Sequence, residues 1–184
     1  MELFSLWLWP LIALIVLPAM LVYFGLHVVG RGVIFVDLAL AQIAALGIAT
    51  AVLLGAHPEH DLLPQALALA FTMAGAALFS LTRFRHPRVP QEAIIGITFV
   101  VAAAAVILLL SRVAGGKEEL EHLLTGDILN VSAGDIGKRA ATFAVLGVFY
   151  AVFHKRFALI SEDVAKALAG GSYVRLWDFL FYAA

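Results

Sequence analysis

The chain has 184 residues, 63% of them hydrophobic and 14% charged, with a formal net charge of -1 and a mean hydropathy of +1.00. A soluble domain is nearer about 45–50% apolar and about 25% charged, so a water-facing globular fold is excluded and lipid is the solvent for much of the surface. The lack of cysteine excludes disulfides, iron–sulfur clusters and Cys-ligated zinc, and basic residues that are few and bounded by apolar runs argue against nucleic-acid binding.

A bilayer span takes about 20 mostly apolar residues. Residues 3–26 qualify as the first, with Pro10 and Pro18 inside and Trp7, Trp9 and Tyr23 near the ends, where interfacial aromatics sit. Neighbouring helices can satisfy the carbonyls that proline frees, so the span tolerates both prolines, with a kink expected near Pro18. The N-terminus lacks the basic region of a signal peptide, so this segment is expected to stay in place as a span. A polar break at 27–32, carrying Arg31, leads into the second span, 33–55, whose apolar run holds one acid, Asp37, and one amide, Gln42. A short polar loop, 56–61, precedes the third span, 62–82. Its centre (Ala74, Gly75, Ala76, Ala77) is built of small residues suited to close helix packing. The stretch RFRHPRVPQE at 83–92 leads to the fourth span, 93–111.

Residues 112–139 are polar enough to leave the membrane, yet Leu120, Leu123, Leu124, Ile128 and Leu129 fall at helical spacing and predict an amphipathic helix. Ser132 followed by Asp135 reads as a helix start. The apolar run 140–153 is short for a span and is expected to begin near Ile136, with Lys138 and Arg139 snorkelling and 154–156 closing it. SEDVAKALAGG at 161–171 reads as a short capped helix: Ser161 is a good N-cap, Glu162 and Asp163 complement the dipole, and the glycine pair stops it. A last apolar run, 174–184, is too short to span, and the chain reads as a fragment. Arg31, then Arg83, Arg85 and Arg88, then Lys155, Arg156, Lys166 and Arg175 fall in alternate connections, which places those connections in the cytoplasm and the N-terminus outside.

A carboxylate on a hydrocarbon-embedded helix is costly unless it faces protein or water, so Asp37 is a functional hypothesis by default. It contacts a permeating ion or gates its path; the bland alternative is a pair with Arg31 or with a helix N-terminus. Gln42 lines that path, or glues two helices as lone amides do. His57, Glu59, His60 and Asp61 have ligand chemistry suited to metal capture at the outer mouth, against a solvated turn around Pro58. Glu118, Glu119, Glu121 and His122 read as a solvated face. No Gly-rich phosphate loop, no HExxH and no Ser/His/Asp spacing is visible.

These residues resemble a family, the metal-cation ABC-transporter permeases, which import zinc, manganese or iron. The break with Arg31 followed by VIFVDLALAQIAALGIA is similar to the family's second span, and QEAIIGITFVVAAAAVILLLS to its fourth. ELEHLLTGDILNVSAGDI carries its Leu-Leu-x-Gly-(Asp/Asn)-Ile-Leu pattern, and SEDVAKALAGGSYVRLWDFL resembles its cytoplasmic helix and the start of the next span. The similarity runs over roughly residues 25–180. It implies an all-α, polytopic transmembrane helix bundle of the type II ABC importer permease fold, related in architecture to the vitamin B12 permease. Residues 1–184 are then a single permease domain, incomplete at the C-terminus, in a multi-pass protein of the bacterial plasma (inner) membrane.

The partners implied are a second permease copy, a cytoplasmic ABC ATPase and an extracytoplasmic solute-binding protein. The chain itself is then no enzyme and holds no cofactor; it passes a divalent metal, zinc or manganese foremost. The resemblance assigns ATPase contact to Ser161, Glu162, Asp163, Val164, Ala165 and Leu168, while Asp37 and Gln42 stand as the candidates for the ion's path on their own chemistry. The family's second span usually carries an Asp and, four residues on, a His on the same helical face, a donor pair suited to such ions. Aligned from Arg31, those positions are Leu38 and Gln42; Asp37 stands one residue early, about 140° around the helix from Gln42. A chelate or another small solute is the alternative cargo. A secondary transporter or channel without an ATPase would need further membrane-embedded charges, and the sequence offers Asp37 alone as an internal one. An intramembrane enzyme would need a nucleophile–base pair or metal ligands on facing spans, which the sequence does not offer.

Overall fold

The computed structural model describes residues 2–57, 61–82, 89–125, 133–162 and 174–183, and every regular element among them is an α-helix. In chain order these are α1 (Glu2–Arg31), α2 (Val36–Leu53), α3 (Leu63–Leu81), α4 (Gln91–Leu110), α5 (Gly116–Thr125), α6 (Ala133–Glu162) and α7 (Val174–Ala183). Stretches long and apolar enough to cross a bilayer are Val36–Leu53, Leu63–Leu81, Gln91–Leu110 and Ile136–Phe153. At a rise of about 1.5 Å per residue, α1 would extend about 45 Å, longer than the hydrocarbon core of about 30 Å. The all-α polytopic bundle expected from the sequence is therefore the fold observed.

Three boundaries differ from expectation. The polar stretch 27–31 does not break the first helix: α1 runs through Arg31 and ends at Gly32, whose φ of +67° lies in the left-handed region that favours glycine. The fifth span begins near Ile136 as expected, but 154–156 do not close it, and α6 continues to Glu162. Ser161 therefore lies inside the last turn of α6 rather than capping a new helix, as a capped helix at 161–171 would require. In FHKRFALISE there is no glycine or proline to stop the helix; polarity there marks the membrane surface rather than the helix end.

Helix α2 is the centre of one packed group, set against both α3 and α4. A third of its span window (33%) is buried, against 11% for the window in α6, which identifies the inner and the peripheral helix. The buried α2 positions Val36, Ala39, Ile43 and Gly47 recur at helical spacing and form one face. Hydrophobic transfer gives little drive between helices in lipid, so close packing and hydrogen bonding hold them together. The α2–α3 approach shows this directly. A Cβ on Gly47 would stand 2.6 Å from the Leu67 carbonyl oxygen, and one on Gly75 would meet Ile43 Cδ1 at 2.7 Å. Apolar side chains such as Ile97, Val100 and Val101 on α4 and Val145, Val148 and Val152 on α6 are exposed, which suits contact with lipid.

The second group is α1 against α6, and the short α7 packs on both α3 and α6. Near the C-terminal ends of α1 and α3 lie the N-terminal ends of α2 and α4. Glu92 in the first turn of α4 accepts a hydrogen bond from the Phe35 N–H at 2.9 Å, just ahead of α2. Gln91 Nε2 donates to the Phe79 carbonyl at 2.9 Å and to the Tyr182 hydroxyl at 3.3 Å, tying α3, α4 and α7 together. A core of Val33, Val36, Ile43, Phe79, Ile95, Tyr150, Phe157 and Phe181 is continuous through this region.

Candidate functional site: an apolar crevice with one carboxylate

A crevice of about 240 Å³ opens where four helices converge. Leu21 and Val28 of α1, Val36, Asp37 and Leu40 of α2, Phe143, Leu146 and Tyr150 of α6, and Phe181 and Tyr182 of α7 line it. Asp37 is the charged residue among them. It is exposed in the first turn of α2, where the positive end of the helix dipole favours a carboxylate, and its Oδ1 accepts from the Leu38 N–H at 2.9 Å. The remaining polar atoms are two phenols. Tyr150 donates to the Phe181 carbonyl at 3.0 Å, and Tyr182 accepts from Gln91. An otherwise apolar wall with a single carboxylate attracts a cation without caging it. Among the described residues no three His, Cys, Asp or Glu side chains come together as a ligand set.

Of the two alternatives to a path role for Asp37, the fold does not make the pair with Arg31, and it does place the carboxylate at a helix N-terminus, in the first turn of α2. Arg31 Nη1 instead lies 2.6 Å from Asp178 Oδ1, with both side chains wholly out of solvent. The guanidinium carbon also stands 3.8 Å from the centre of the Phe181 ring, within cation–π range. Arg31 is thus a buried intramolecular cation rather than a loop charge, and Asp37 is not the sole internal acid. The rule that singles out Asp37, an acid inside an apolar run, applies equally to Asp178 in VRLWDFLFYA.

Gln42 is half-buried on α2 and is not among the residues lining the crevice, so the structure does not bring it together with Asp37. Ser161 and Glu162 end α6, whereas Asp163, Val164, Ala165 and Leu168 lie outside the described residues. The His57 N–H donates to Asp61 Oδ2 at 2.7 Å and the Asp61 N–H to the His57 carbonyl at 3.0 Å, with both residues exposed. Pro58, Glu59 and His60 lie outside the described residues. Glu118, Glu119 and Glu121 sit on α5, which covers the first part of the expected amphipathic stretch, with Leu120 and Leu123 packed against Ala49, Val106 and Leu110; Ile128 and Leu129 lie outside the described residues.

A sequence profile of the ABC 3 transport family matches residues 4–184. Among solved structures the chain is similar to PsaBC from Streptococcus pneumoniae in complex with Fab, at 24% identity and a TM-score of 0.62, over 87% of this chain and 55% of that one. At that identity the likeness speaks to the fold, and the chain spans little more than half of that relative's length. No curated protein matches.

Proposed function

Because the chain belongs to the ABC 3 transport family, the family of metal-cation ABC permeases, we propose that it forms the membrane-spanning part of an ATP-driven importer of divalent metal ions, zinc or manganese foremost. In this reading a second permease copy completes the path, a cytoplasmic ATPase powers it, and an extracytoplasmic binding protein delivers the ion. The chain contributes no ATP chemistry of its own. Residues 161–168 are the contact with the ATPase, and α7 follows that contact directly in the chain.

The observation that supports the cargo is the crevice carrying Asp37. A divalent ion in a low-dielectric path needs a nearby carboxylate, because stripping its water without compensation is prohibitive. Asp37 supplies that charge, and the ion keeps part of its hydration shell where the wall is apolar. A neutral or anionic chelate needs no such group, and a carboxylate repels an anionic one. The test is accumulation of radiolabelled zinc or manganese by cells that lack their own importers and carry the permease with its partners. Asp37→Asn abolishes accumulation at unchanged expression. Gln42→Ala reduces it modestly, and Gln42→His leaves it intact or raises it. Normal accumulation by Asp37→Asn removes Asp37 from the ion's path and favours the chelate.

A further inference from the structure

We propose that the Arg31–Asp178 pair is a transport-coupling latch that fixes the register of α7 against α1, so that movement of α7 reaches the crevice instead of being absorbed by slippage. The inference rests on the proposed function insofar as an ATPase is the source of the movement.

Four observations carry it. First, α7 packs on α3 and α6, which belong to two different helix groups. Second, it meets the crevice: Phe181 and Tyr182 line it beside Asp37, and the Phe181 carbonyl is held by the Tyr150 hydroxyl. Third, aromatic contact holds α7 alongside the hydrogen bonds from Tyr150 and Gln91. Trp177 packs against Phe153 and Phe157, and Phe181 against Tyr150 and Phe157, with ring centres 5.1 to 6.0 Å apart. Ring pairs of this kind are favourable over a range of centroid separations, about 4.5–7 Å, and can be re-formed after a small slide. Fourth, the ion pair is directional: a 2.6 Å N–H···O contact made in full burial, with the guanidinium capped by the Phe181 ring one turn from Asp178. A buried pair adds little to net stability compared with apolar residues of similar volume, but breaking one side of it is severe. Its best-attested use is to select one register over others. Here the register selected places Phe181 and Tyr182 at the wall that carries Asp37.

A variant that removes both charges at once separates a latch from a brace. Arg31→Met with Asp178→Leu keeps apolar volume at the contact and leaves no orphan charge. The readout is bifunctional cross-linking between Leu40→Cys and Leu146→Cys, which face the crevice from α2 and α6, in the permease reconstituted with its ATPase. The described chain has no native cysteine to interfere. With the pair intact, cross-linking changes at least about fivefold between nucleotide-free and vanadate-trapped states, the low end of ordinary coupling between sites. In the double variant the thermal midpoint is kept and the nucleotide response is lost. An equal response in the double variant overturns the latch. So does loss of the fold in that variant, which makes the pair a brace, and so does the absence of any nucleotide response with the pair intact. A clear nucleotide response without accumulation of zinc or manganese would instead sink the metal reading, and the latch is then judged by the double variant as before.

Discussion

At the scale of single residues, the two internal acids of this chain have opposite fates, and burial decides between them. Asp37 is exposed at a crevice wall, where the proposed function has it meet the ion, whereas Asp178 is enclosed and paired with Arg31. Removing one member of a buried pair leaves an uncompensated charge at a cost of about 3–5 kcal/mol, while replacing both by apolar groups is often neutral. Asp178→Ala alone is therefore expected to lower the thermal midpoint in detergent sharply, and Arg31→Met with Asp178→Leu to leave it near the parent value. Equal losses in the single and double variants would show that the pair carries stability in its own right. Asp37 was legible in the sequence because it interrupts a run of span length. Asp178 also interrupts an apolar run, but its partner is Arg31, 147 residues away in the sequence, a non-local pairing that no local pattern encodes. The departure of Asp37 from the family's Asp/His register was legible too, and the structure gives it a place: the residue faces the crevice, and Gln42 does not.

At the scale of elements, the spans follow from hydropathy and the connections do not. The windows in α2, α3, α4 and α6 fall close to where length and apolarity put them, because a segment that must satisfy its backbone inside lipid has little choice but a helix. Helix ends are set differently. Neither His27 nor Lys155 stops its helix, because a polar side chain at the membrane surface leaves the backbone ladder unaffected. Gly32 does, through its positive φ. Ser161 resembles a cap in sequence, yet serine is accommodated within a helix at modest cost. The small-residue seam of α3 was also legible, though its partner on α2 was not. The contact at Gly47 is with the Leu67 backbone, which cannot rotate away, whereas that at Gly75 is with the end of the Ile43 side chain, which can. Gly47→Ala is therefore expected to destabilise the bundle by about 1–3 kcal/mol, as overpacking does, and Gly75→Ala by less. Thermal unfolding of the two variants side by side checks the order; the reverse order would mean that α2 and α3 approach each other elsewhere.

At the scale of the whole molecule, burial of Arg31 removes one charge from the orientation argument, which then rests on Arg83, Arg85 and Arg88 and on the basic residues from Lys155 onward. The expected outcome is unchanged: in intact cells His60→Cys reacts with an impermeant maleimide and Arg85→Cys does not, and the opposite pattern inverts the topology. With that orientation, the first turn of α2 and the crevice sit toward the cytoplasmic side. The central claim is that a divalent ion passes Asp37 in this crevice. The measurement closest to it places a single cysteine at Leu40, one turn from Asp37 on the same wall, and follows maleimide labelling of the permease in its membrane with and without manganese. Manganese is the ion of choice because thiolate binds it weakly compared with zinc. The account predicts that manganese slows labelling of Leu40→Cys while Asp37 is present and has no effect once Asp37→Asn is added. Labelling indifferent to manganese in both backgrounds, or protection that survives the loss of Asp37, would contradict it.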